Sequence, residues 1–191
     1  MSNELTKNEK RDSIIYGVIV GVLTIVFSII GIYHTQSAAS YDSLFVVSTA
    51  LKIVGSIIIP VLFVYLLKTR NGQNWTFSRA LKSIYILLAS SIIVSSLGLT
   101  VYQKTIVDKV VLEESYQNLM NLRIVDMESK GASDDEIDQQ MEIIEQDKDF
   151  AFSELTFRNT VPPMFISLLL NFILAMLLAF LFRAKIVNKN L

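Results

Sequence analysis

Cysteine is absent from this chain of 191 residues, histidine and tryptophan occur once each, and proline three times. Without cysteine there is no disulfide and no thiolate metal site, and thiol usage points to no redox compartment. The single histidine, His34, leaves general-base and metal-ligand chemistry almost without raw material. It stands in a short polar stretch with Asp42 nearby, and one imidazole without a second ligand reads as a solvated loop residue. Asp134, Asp135 and Asp138 lack the order and the distal glutamate of a calcium loop, so capping and solvation explain them. No phosphate-cradling glycine loop, Gly-x-Ser-x-Gly elbow or His-Glu-x-x-His motif occurs. The expectation is a protein without metal or cofactor that is not an enzyme.

Charge is also scarce. Charged residues make up 18% of the chain and apolar ones 52%, which is low and high respectively against soluble usage. The apolar residues fall in blocks of about twenty, the length that a hydrocarbon core of roughly 30 Å demands. Four membrane spans are predicted, at 14–33, 44–67, 83–102 and 163–182, in an all-α fold. The apolar core of a signal peptide runs only some 7 to 15 residues, so the first block reads as a span even though Ser37-Ala38-Ala39 follows it. Pro162-Pro163 suits the opening turn of the fourth, where a missing N–H costs nothing.

Short-loop positive charge orients these spans. The tail 1–13 carries Lys7, Lys10 and Arg11; the loop 68–82, turning at Asn71-Gly72, carries Lys68, Arg70, Arg79 and Lys82; the tail 183–191 carries Arg183, Lys185 and Lys189. Three acids, Glu4, Glu9 and Asp12, oppose these ten bases, and the stretch 33–43 has no Lys or Arg. Excess basic charge stays cytoplasmic, which places both termini and the 68–82 loop inside and the segment 103–160 outside. Trp75 and Phe77 fit the headgroup zone at the edge of that loop.

The segment 103–160 is the one long polar stretch, with fourteen acids and six bases. A net charge near −8 disfavours nucleic acid and anionic headgroups as partners. Leu112, Tyr116, Met120, Ile124 and Met127 recur at helical spacing, which predicts a helix continuing the third span outward without a break. Gly131 ends it, and Ser133-Asp134-Asp135-Glu136 is a capping box that starts a return helix. That helix carries the stripe Ile137, Met141 and Ile144. An extracytoplasmic hairpin is expected, with legs of about 40 Å at 1.5 Å per residue. Phe150, Phe152 and Phe157 read as an interfacial aromatic cluster.

Within the spans, small and polar residues carry the information. Gly17 and Gly21 form a G-x-x-x-G, and Ser167, Asn171, Ala175 and Ala179 make a small, polar stripe at four-residue steps, both patterns of close helix packing. Ser91, Ser95 and Gly98 do the same on the third span. Lys52 is the one charge inside a span, at a depth similar to that of Asn171. It either snorkels or joins Asn171, Ser91 and Ser95 in an intramembrane polar layer.

Thr76-Phe77-Ser78-Arg79-Ala80-Leu81-Lys82 with its following serine-rich helix, and Gly131-Ala132-Ser133-Asp134-Asp135-Glu136-Ile137 before the last span, resemble an uncharacterised family of four-span inner-membrane proteins of Bacteroidota, domain of unknown function family 4199. The resemblance covers nearly the whole chain and implies placement in a bacterial inner membrane. It implies no activity and no functional residue. Two functions are expected of such a chain. The first is an anchor presenting the acidic hairpin to a protein partner or a second copy, through the Leu112–Met127 stripe, the acidic surface or the transmembrane faces. The second is a small transporter or channel component using Lys52 and Asn171.

Overall fold

The computed structural model describes residues 4–71, 75–154 and 156–183, and only the backbone at 157–160. Gly72, Lys185, Lys189 and the Phe157 side chain therefore lie outside the description. Among the described residues the regular structure is all helical: α1 (Lys7–Ser37), α2 (Tyr41–Ile53), a π-helical turn (Val54–Ile58), α3 (Ile59–Asn71), α4 (Phe77–Val101), a second π-helical turn (Tyr102–Ile106), α5 (Lys109–Ser129), α6 (Asp134–Phe152) and α7 (Phe157–Phe182). Four helical stretches, Lys7–Ser37, Tyr41–Asn71, Phe77–Ile106 and Val161–Phe182, are long and apolar enough to cross a membrane. The residues divide into two compact regions.

The first region comprises Met1–Thr24, Gly55–Ser96 and Pro162–Leu191. Its core joins Val20 of α1, Val64 and Leu67 of α3, Trp75 just ahead of α4, Ala80, Ile84, Leu87 and Leu88 of α4, and Ala175, Leu178 and Ala179 of α7. Lipid tails are as apolar as leucine, so helices of this kind associate by close packing rather than by expelling water. The glycines of α1 supply that closeness. A Cβ at Gly17 would stand 2.4 Å from the Leu87 carbonyl oxygen, and one at Gly21 would stand 2.8 Å from that of Ser91. Edge-to-face rings add to the packing, Tyr16 on Phe63 and Tyr85 on Phe172, each with centroids 5.4 Å apart.

α1 opens with a reciprocal cap. The Glu9 N–H donates to Thr6 Oγ1 at 3.2 Å and the Thr6 N–H donates to Glu9 Oε2 at 2.7 Å, which satisfies two amides that the first turn leaves without partners. The π turn Val54–Ile58 has an equally local cause. Pro60 has no N–H for the Ser56 carbonyl and its ring crowds that oxygen, and widening the helix by one residue relieves both problems. α7 starts at Phe157, ahead of the expected position, with Pro162 and Pro163 inside the helix. The two prolines forgo only the bonds to the carbonyls of 158 and 159, at the helix's own beginning.

The second region comprises Ile25–Val54 and Leu97–Val161. Here the expectation of an unbroken outward helix fails. After the π turn, Val107 adopts extended backbone (ψ 138°), and Asp108 caps a new helix by accepting the Val110 N–H at 2.9 Å. The sequence lacks Gly and Pro at this point, so the break is made by an aspartate that offers the backbone a better partner. The two legs are consequently shorter than expected: 21 residues in α5 and 19 in α6, about 30 Å each at 1.5 Å per residue.

The reversal between these helices is fixed by Gly131. Its φ of +77° is a left-handed conformation that a side chain resists. In this geometry the Gly131 N–H reaches the Glu128 carbonyl at 3.0 Å and the Ala132 N–H reaches that of Met127 at 3.0 Å, closing α5 with a Schellman motif. Glu136 then accepts the Ser133 N–H at 2.9 Å at the start of α6. α5 and α6 pack on each other. Tyr116 bonds to Asp147, Glu113 to Lys148, and Arg123 to Gln140, so the pair is antiparallel.

Candidate functional site

Two groups of side chains stand out, one in each region. In the second region, α5 docks on the connection between α1 and α2. Asn118 places its amide nitrogen 2.7 Å from the Thr35 carbonyl, 3.0 Å from that of Ala38 and 3.3 Å from that of Gln36. Thr35 and Gln36 lie in the last turn of α1 and Ala38 just past it, where carbonyls have no partner within the helix. Gln36 bonds the Glu114 carboxylate, and Arg123 lies 4.8 Å from the centroid of the Tyr41 ring at the start of α2. A second remote cap comes from Lys104. Its ammonium donates to the Phe150 and Ser153 carbonyls and so closes the carboxyl end of α6. Val107, Leu112 and Ala151 are the buried apolar residues beneath these ties.

The expected seam residues differ in burial. Leu112 and Met127 are buried, whereas Tyr116, Met120, Ile124, Ile137, Met141 and Ile144 are half-buried. The exposed positions of α6 include Asp134, Asp135, Asp138, Glu142, Glu145 and Asp149. Burial, together with the charge of Asp147, raises the pKa of Tyr116. The Lys148 ammonium that donates to Glu113 holds that carboxyl below the usual glutamate range. Near the Gly131 turn the helices flank an open groove of about 500 Å³ lined by Arg123, Asp126, Lys130, Glu136, Gln139 and Gln140. Its cations are already engaged: Asp126 pairs with Arg123 at 3.4 Å and with Lys130 at 2.7 Å.

In the first region, charges of the 68–82 loop and of the amino-terminal segment are partners rather than free surface charges. Arg79 Nη2 pairs with Glu9 Oε1 at 2.7 Å, and Arg70 Nε pairs with Asp12 Oδ2 at 3.1 Å. Glu9 and Asp12 are both buried. Sequence reasoning counted these residues only as topological charge. The Thr6-x-x-Glu9 pattern, a capping box, was the available signal for the first of them.

The proposed polar layer is distributed over both regions. Ser91 and Ser95 lie in the first, buried and half-buried, and Ser95 Oγ donates to the Ile92 carbonyl at 3.3 Å. Asn171, also in the first, donates to the Ser167 carbonyl of its own helix at 3.0 Å, and Ser167 Oγ donates to the Pro163 carbonyl at 3.0 Å. Ala175 and Ala179 are fully buried. Lys52 belongs to the second region, and its side chain is exposed. Among the described residues no group of three or more His, Asp or Glu side chains is placed to hold a metal ion.

Four helices suited to crossing a membrane, with a polar antiparallel pair inserted before the last, are the pattern of a multi-pass membrane protein. The chain belongs to the family described as Protein of unknown function (DUF4199), whose model matches residues 15–184. Neither the curated proteins nor the solved structures provide a match.

Proposed function

We propose that this is a non-enzymatic interaction protein of the bacterial inner membrane. It is a four-span anchor with both termini cytoplasmic that holds the acidic hairpin 103–160 out to an envelope partner, either another protein or a second copy. The orientation rests on basic residues gathered in the tails and the 68–82 loop, and the setting in Bacteroidota rests on the family resemblance. The observation that carries the reading is the direction in which the helix pair faces. The stripe residues are buried or half-buried while the carboxylates of α6 are exposed, which favours a partner presenting Lys and Arg over one that pairs with the stripe. Nucleic acid is an unsuitable partner for such a surface. The transporter reading needs Lys52 and Asn171 to line a path. An amide already bonded within its own helix and an exposed lysine favour the anchor instead.

Chemical crosslinking and mass spectrometry on native membranes, comparing the full chain with one lacking residues 112–148, test the reading. Partner crosslinks that disappear with the deletion support it. Crosslinks that persist unchanged, with a phenotype that depends on Lys52, would overturn it.

A further inference from the structure

Four large apolar side chains near the junction of the second π turn, α5 and α6 are exposed: Ile106 is 68% exposed, Val110 58%, Phe150 50% and Phe152 38%. They belong to segments pinned side by side, because Lys104, two residues before Ile106, bonds the Phe150 and Ser153 carbonyls and the π turn packs on α6. The exposed apolar surface is continuous along the chain with that of the third span, where Leu97 and Val101 are 47% and 46% exposed. Apolar surface of this kind is unfavourable in water and favoured against lipid.

The carbonyls at the helix end beside these residues have partners within the protein, which is compatible with a poorly hydrated setting. The Phe150 carbonyl accepts from Ser153 Oγ at 2.7 Å and from Lys104, and the Asp149 carbonyl accepts the Ser153 N–H at 2.8 Å. At the edge of a bilayer they must find partners within the protein.

We infer that Ile106, Val110, Phe150 and Phe152 form a collar immersed in the headgroup and acyl boundary of the membrane, with Lys104 as the strap that holds its two halves together. The occupant of this surface is lipid. The acidic pair is then seated on the membrane by its base, and the surface left for a protein partner is its far part, toward Gly131. This inference rests on the membrane-spanning reading and is independent of whether any protein partner exists.

Absence of cysteine makes the test direct. Single cysteines at Val110, Phe150 and Asp138 are given nitroxide labels, and the full chain is reconstituted into phosphatidylcholine vesicles. Electron paramagnetic resonance then compares collisions with oxygen, which concentrates in lipid, and with a water-soluble nickel chelate. Labels at Val110 and Phe150 should show an oxygen-to-nickel ratio several-fold above that at Asp138, with circular dichroism confirming unchanged helix content. Equal ratios at all three positions overturn the collar in favour of water. Low access to both reagents with spin–spin broadening overturns it in favour of a second copy. A fourth label at Phe165, 58% exposed on α7, separates the premises: an aqueous ratio there defeats the membrane-spanning reading itself.

Discussion

The two regions solve the same problem, ordering helices, with different means. The first has a broad apolar core, glycines that let backbones touch, and buried carboxylates paired with Arg70 and Arg79. The second buries few apolar residues and ties helix ends with side chains from far along the chain: Asn118 on α1 and Lys104 on α6. Where apolar burial is thin, directional bonds to helix termini provide the specificity. Such ties are local and severable, whereas a core shared by four segments is not.

That contrast predicts a ranking. The largest loss is expected for Glu9→Gln, which keeps the cap on the Thr6 N–H but removes the negative charge that faces Arg79. Breaking a buried pair costs about 3 kcal/mol or more, read as a fall in the thermal midpoint of the detergent-solubilised protein. A midpoint within error of the parent would mean that the pair is hydrated and the regions are less different than they look. Next comes a matched pair of substitutions in α1. Gly17→Ala forces a Cβ against the Leu87 carbonyl oxygen, and overpacking of this kind costs about 1–3 kcal/mol. Gly31→Ala, whose Cβ would find only Leu51 Cδ1 at 3.9 Å, should stay within about 0.5 kcal/mol. Equal effects in size-exclusion and melting profiles would erase the proposed asymmetry.

Asn118→Ala should cost about 1 kcal/mol, and hydrogen exchange should show faster amides in α5 with the α3 and α4 amides unaffected. Uniform acceleration would show that the regions unfold as one. The smallest effect is a pH dependence at Glu113. Its folded pKa is depressed by Lys148, so the pair's contribution is complete above the ordinary glutamate value and is lost as pH falls through the folded pKa. Lys148→Met should flatten the acid limb of the melting-temperature profile. An unchanged limb removes the pair from the account.

Much of the fold was legible because blocks of apolar residues encode spans without reference to anything distant, and because Gly131 and Ser133 act within their own turns. Gly17 and Gly21 signalled close approach, though not to which helix. What escaped depends on neighbours remote in sequence. Nothing around Asn118 announces that its amide caps a helix ending some eighty residues earlier. Glu9 and Asp12 look like ordinary tail charges until Arg79 and Arg70 are placed beside them. The break before α5 was readable in principle, since Asp108 is a good cap, but the apolar periodicity on both sides masked it.

The lone tryptophan is fully buried in the first region, and its indole nitrogen has no hydrogen-bond partner. Its emission will therefore be blue-shifted and will come from that region alone. A chain whose α5 and α6 have melted would still show a native fluorescence spectrum while its far-ultraviolet ellipticity falls. Comparing the two signals in one heating ramp separates the regions optically, without any label or substitution.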